Sequence, residues 1–134
     1  MLLIQALAEL YGCDPIIEDA AGLAEAARTA AEKVGATIVG ENVIKYVPHG
    51  LTVAVFLAES HIVLTTWPEY RLVLVDVLLC TPEMSHEAVI RYLAELLCPN
   101  GRTVLHHVGR RIAPEPDEPG GVLDRFPRED PARS

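Results

Sequence analysis

A chain of 134 residues, half of them hydrophobic and 22% charged, is one domain with enough length to bury a real core. Its net charge of −8, with no cluster of Lys and Arg, excludes a phosphate-binding role on nucleic acid and disfavours an anionic membrane surface. Arg110-Arg111 and the stretch from Arg125 to Arg128 are short and interleaved with acids. No run reaches the roughly 18 apolar residues of a membrane span. Met1 to Gln5 lacks a basic region, and Glu9 follows, so no signal peptide is expected and the cytoplasm is the expected location. Cys13, Cys80 and Cys98 make an odd count without Cys-x-x-Cys spacing, which fits a reduced protein better than a disulfide framework or a zinc site. No metal site is expected; His106 and His107 are neighbours that face opposite ways in a strand and cannot chelate one ion together.

In chain order, Leu2 to Tyr11 is an apolar stretch where helix and strand compete, read as a strand. Ile16 to Val34 is Ala-rich, with Leu23, Ala27, Ala30, Ala31 and Val34 at helical spacing and Glu25, Arg28, Glu32 and Lys33 opposite: an amphipathic helix stopped by Gly35. Ala36 to Val47 is β-branched and broken at Gly40-Glu41-Asn42. Pro48-His49-Gly50 is a turn, Leu51 to Ala58 a strand, and His61 to Thr66 another, with Glu59-Ser60 at the junction. After Pro68, Tyr70 to Leu79 is a nearly continuous Val and Leu run that reads as a central strand, in which Asp76 is the odd member. Ser85 is an N-cap with Glu87 in the first turn of a helix whose apolar face is Val89, Tyr92, Leu93, Leu96 and Leu97. Pro99-Asn100-Gly101 ends it, and Arg102 to Arg111 forms the last strand.

The order β-α-β-β-β-β-α-β, with short turns between successive strands, makes antiparallel pairs. Two helices cover one face, so the fold class is α+β: a two-layer α/β sandwich with an antiparallel sheet and two helices on one face. Residues 1–112 are the single domain, and 113–134, rich in Pro, Gly and acids, are a flexible tail. The bare face of the sheet asks for a cover, most simply a second copy of the chain.

Unusual side chains concentrate between Glu59 and Cys80. Singly, each has an ordinary reading: Cys80 a small buried hydrophobe, Trp67 a core aromatic, Glu69 a turn acid, His61 a strand histidine. Ser60 lacks a Gly-x-Ser-x-Gly setting. Together, Glu59-Ser60-His61, Thr66-Trp67-Pro68-Glu69-Tyr70 and Asp76 with Cys80 resemble the small bacterial and archaeal S-adenosylmethionine decarboxylase proenzymes. Tyr11-x-Cys13-Asp14, Gly35 to Val39 and Pro48-x-Gly50 extend the resemblance over about residues 5 to 110.

The resemblance implies a self-cleaving chain. The Ser60 hydroxyl attacks the Glu59 carbonyl and converts the amide to an ester. Loss of the Ser60 α-proton expels the Glu59 carboxylate and leaves dehydroalanine, which hydrolyses to a pyruvoyl group. Residues 1–59 become the β chain and 60–134 the α chain, headed by this cofactor. Its ketone forms a Schiff base with the substrate amine and takes up the electrons left by CO2, which no side chain does well. Cys80 is implied as the acid that returns a proton to carbon.

One departure stands out. The family places His five residues after the Ser as the processing base; here that position is Thr65, and an alkanol cannot do what an imidazole does near neutral pH. Thr52 stands where a second family hydroxyl is expected. His61, or a water held by Thr65, could take over, or processing could be slow or lost. Tyr46, Trp67 and Glu69 are the implied substrate-binding residues. The implied reaction is decarboxylation of S-adenosylmethionine for spermidine synthesis, by a homodimer of cut protomers. Alternatives are arginine or ornithine decarboxylation, with Glu41 and Glu69 as acids at the far end of the pocket, or an uncut paralogue that binds or regulates.

Overall fold

The computed structural model describes residues 1–114; all but the first two residues of the expected tail lie outside them. The strands are β1 (Leu2–Tyr11), β2 (Ile38–Lys45), β3 (Leu51–Leu57), β4 (Ser60–Trp67), β5 (Leu72–Leu78) and β6 (Arg102–Arg111). The helices are α1 (Ala20–Lys33) and α2 (His86–Leu97). One six-stranded sheet has the order β2-β3-β4-β5-β1-β6, every pair antiparallel. The α+β two-layer sandwich expected from the sequence is the fold observed.

β1 is a strand despite its Ala and Leu content because it fills the slot between β5 and β6. Ala6, Ala8 and Leu10 are buried opposite Val77, Val75 and Val73. Those residues, with Ile62, Leu64, Val53 and Val55, make one dry face beneath the helices. From α1, Leu23, Ala24, Ala26, Ala27, Ala30 and Ala31 lie on it, small side chains that let the helix sit close to the sheet. From α2 come Val89, Ile90, Leu93 and Leu97. β5 is central, as its composition predicts, but only its helix-facing side is buried; Leu74 on the other side is 38% exposed.

Two readings need correction. The first helix starts at Ala20, not Ile16: Pro15–Glu18 form a separate 3-10 turn, and Asp19 lies extended between the two at φ −93° and ψ 105°. Helical propensity continued across the sequence there, but the backbone had to turn at Pro15 to bring Ile17 into the core. The cysteines also pair. Cys13, just after β1, and Cys98, just after α2, form a disulfide across a sequence separation of 85. In the chain-entropy account a bridge closing so long a loop stabilises by about 4–5 kcal/mol. Cys80 is the free thiol.

Ser85 caps α2 as its sequence predicts, its Oγ accepting from the Ala88 N–H at 3.1 Å. Gly101 sits where a Cβ would come within 1.9 Å of the Tyr11 carbonyl oxygen, so the turn into β6 closes only on glycine. No helix among the described residues is long and apolar enough to cross a membrane.

Candidate active site on the open sheet face

Strand alternation decides which side chains meet. On β4, Ile62, Leu64 and Thr66 are buried under the helices, whereas His61, Val63, Thr65 and Trp67 face away from them. The polar residues of interest then fall into two groups at opposite ends of the sheet; His61 and Thr65 lie on its open face, whereas Ser60, in step with Ile62 and Leu64 and opposite buried Leu57, starts β4 on the helix side.

At one end is the hairpin joining β3 to β4. Leu57 pairs with Ser60, so the loop is only Ala58 and Glu59. Such tight loops use Gly, Asn or Asp where φ is positive. Here Glu59 takes the left-handed conformation at φ 60°. For a residue with a side chain this costs on the order of 1–2 kcal/mol. Ser60 follows immediately, its Oγ donating to the Ala58 carbonyl at 3.2 Å, so the hydroxyl is folded back over the same turn. Ser60 is thus the first residue of β4, at the junction the sequence places between the two strands. β5 leads Cys80 to the same end: its last residue, Leu78, pairs with His61, and Cys80 stands two residues past the end of the strand. The Cys80 thiol is half-buried.

Just inward, Asp76 collects two neighbours. Leu78 is the cross-strand partner of both His61 and Gln5, which places Asp76 diagonal to each and within reach of long side chains. Gln5 donates to Asp76 Oδ1 at 2.8 Å, and His61 Nε2 lies 3.3 Å from the same oxygen. Arg110 donates to Gln5 Oε1 at 2.7 Å. An imidazole that gives its Nε2–H to Asp76 keeps Nδ1 as a lone-pair acceptor.

At the other end, Thr52 and Thr65 are register partners with their hydroxyls 3.2 Å apart, and the Tyr46 hydroxyl is 2.8 Å from Thr52. This chain of hydroxyls borders a cavity of about 300 Å³ lined by Tyr46, His49, Gly50, Thr65, Thr66, Trp67 and Glu69. His49 pairs with Glu69 across its mouth. Tyr46 and Trp67 are 47% and 44% exposed, so Trp67 is not the core aromatic that its type suggests. Gly50, at φ 103°, brings the backbone against the Thr66 carbonyl, where a Cβ would stand at 3.3 Å.

The structure thus gathers Glu59, Ser60 and Cys80 at one end, with His61 one step away, and Tyr46, Thr52, Thr65, Trp67 and Glu69 at the other. It does not bring Thr65 to Ser60 within one chain: five strand steps separate them by about 16 Å. Glu41 is also elsewhere. It pairs with Val55, on the helix-facing side, and accepts from Arg28 of α1 at 2.6 Å, away from the cavity. His49, Gln5 and Arg110 have no sequence signal of their own; Asp76 had one, as an acid in an apolar run. His86, at the start of α2, has its pKa lowered, first by burial and then by His107, with Glu87 acting the other way.

The fold is that of a two-layer α+β protein whose sheet is covered by helices on one side and carries His61, Thr65, Trp67 and Asp76 on the other. The sequence pattern described as S-adenosylmethionine decarboxylase matches residues 4–111. An S-adenosylmethionine decarboxylase proenzyme of Synechococcus sp. (strain WH7803) is 33% identical over 120 residues, covering 89% of this chain and 90% of the relative. The proenzyme of Thermosipho africanus (strain TCF52B) is 31% identical over 76% of this chain and 79% of its own length. The crystal structure of the adenosylmethionine decarboxylase from Aquifex aeolicus VF5 superposes with a TM-score of 0.75 at 31% identity, over 87% of this chain and 97% of that one. The chain belongs to the S-adenosylmethionine decarboxylase family.

Proposed function

We propose that this chain is a self-processing, pyruvoyl-dependent S-adenosylmethionine decarboxylase, cut between Glu59 and Ser60, that serves spermidine synthesis. The observation that carries the reading is the hairpin: a serine directly after a left-handed Glu59, its hydroxyl already turned onto the loop, at the sheet end that Cys80 approaches. These residues fit the cofactor, because the group is made from Ser60 itself and needs no separate binding site. Once formed, it supplies an electron sink for decarboxylation.

The chain's own residues have the remaining tasks. Attack by Ser60 Oγ on the Glu59 carbonyl forms the ester and breaks the Glu59–Ser60 amide, and the hydroxyl proton passes to the Ser60 nitrogen. His61, held by Asp76 with one nitrogen free, is the group of this chain best suited to carry that proton in place of the missing histidine at position 65. Cys80 returns a proton to the substrate carbon. Tyr46 and Trp67 offer aromatic faces for adenine, and Glu69 a carboxylate for the ribose or amino end.

The site is completed by a second copy. Thr52 and Thr65 are too far from the hairpin of their own chain to act there, and the open face carries Ile44, Phe56, Trp67, Leu74 and Val108, each more than a third exposed. Two sheets packed face to face about a two-fold axis set one protomer's hairpin against its partner's hydroxyl end. We place the enzyme in the cytoplasm, where the state of the Cys13–Cys98 pair follows the local redox poise. Arginine or ornithine as substrate loses one of its two acids, since Glu41 is paired with Arg28 on the other side of the sheet.

An intact-mass spectrum of the reduced, denatured protein tests the reading. Two fragments are expected, 1–59 and 60–134, which together gain one water and lose one ammonia. A single unchanged chain would leave the family membership intact and sink the enzymatic reading in favour of a binding or regulatory role. CO2 release from S-adenosylmethionine, but not from arginine or ornithine, is expected of the cut protein.

A further inference from the structure

The helix-covered side of the sheet holds a second cluster, and nothing in the decarboxylase reading uses it. His86 and Glu87 open α2, and His107 stands on the face of β6 turned toward that helix. One donor atom from each lies within 4.8 Å of the other two. The imidazoles of His86 and His107 meet edge to face, centroids 5.0 Å apart at 69°, so they converge rather than stack. His107 Nε2 is 3.8 Å from Glu87 Oε1. The other three histidines each meet a carboxylate: His49 with Glu69, His61 with Asp76, His106 with Glu9. Among the described residues this is the one group that offers three ligand atoms.

From this we infer that His86, Glu87 and His107 form a binding site for a divalent late first-row metal ion such as Zn2+. Two imidazoles and one carboxylate are a borderline N/O donor set, which suits that class and not Mg2+ or Ca2+. The donors come from two elements, so the ion ties the first turn of α2 to β6. Three protein ligands leave at least one position for water or an added ligand. A cavity of about 290 Å³ that His86 and Glu87 help to line gives the ion a way in. The same cavity reaches Thr81 and Pro82, so the site sits at the far end of the loop that begins at Cys80. His106 is the built-in control: it is the next residue in β6 but faces the open side, toward Glu9.

The test is calorimetric titration of the full chain, stripped with a chelator, with Zn2+. One ion per chain is expected. His107→Asn or His86→Asn should weaken binding by more than about 100-fold, beyond the 10–100-fold cost of losing an outer-sphere partner. His106→Asn should leave it unchanged. Added Zn2+ should raise the melting temperature of the wild type but not that of His107→Asn. His107 is exposed on an edge strand, so that variant should melt like the chelated wild type and thereby prove folded. Absent binding, or binding that survives both His86→Asn and His107→Asn or is lost with Cys80→Ser alone, overturns the site. None of these readouts depends on cleavage or on decarboxylation.

Discussion

Position 65 is where the chemistry is most exposed to test. Thr65 cannot serve as a base, and the groups that could replace it lie elsewhere on the face. Thr65→His should therefore raise the rate of self-cleavage, by a factor within the roughly 10²–10⁴ that a placed general base contributes; time-resolved mass spectrometry after synthesis measures it, and no acceleration would refute the argument that a base is lacking. His61→Ala should slow cleavage in the native sequence, and less so once His is restored at 65. Ser60→Ala should give a folded, uncut chain. Glu59 allows a separate test. If its left-handed backbone drives the acyl shift, Glu59→Gly relieves the strain and slows cleavage by up to about thirtyfold, the rate equivalent of about 2 kcal/mol. In an uncut Ser60→Ala background the same change should stabilise slightly in urea. Of this site, the residue types and their spacing were legible in the sequence, because Ser, Thr and Cys within Val-rich strands are conspicuous. The distance between Ser60 and Thr65 was legible only once β4 was known to be straight, and the pairing of His49 with Glu69 not at all, because a histidine in a turn carries no period.

Among the elements, the 3.6 period located both helices and apolar or β-branched runs located the strands, although β6 is exposed along nearly its whole length, β2 has no buried residue, and β1 reads as helix or strand alike. They missed the helix start, where Ile17 satisfies either pattern and only the turn at Pro15 decides. Two changes probe how the elements are joined. Ser85→Ala removes the cap of α2 and should cost about 1 kcal/mol in urea unfolding of the Ser60→Ala chain. Gly101→Ala should cost more than about 2 kcal/mol, because the backbone of Tyr11 blocks the new methyl and β1 and β6 must part to admit it. Equal effects at the two positions would count against the close approach at Gly101.

For the whole molecule, the sheet is covered on one side and bare on the other, and the bare side carries His61, Asp76, Thr52, Thr65 and Trp67 of the candidate site. Sedimentation or size exclusion over a range of concentrations should show a dimer. Replacing Phe56 by Lys, in the middle of the apolar part of that face, should shift it toward monomer and reduce decarboxylation without preventing folding. A monomer that decarboxylates at full rate would separate the site from the interface. This level was legible only as a bare face needing a cover; how the two ends of that face complement each other depends on register, which composition does not carry.

The Cys13–Cys98 bridge has a consequence that follows from where it falls in the chain. Cys13 precedes the cut and Cys98 follows it. Scission would therefore leave two polypeptides that are still one covalent molecule, as in a protein matured by an internal nick. Without a thiol, fully processed and unprocessed protein should migrate alike on a denaturing gel; a reductant should release the short chain from the processed form only. The tether also keeps the two pieces at a high effective concentration, so in a denatured, oxidised, cut molecule the two pieces of one protomer should re-pair at a rate independent of concentration, and in the reduced one they should not.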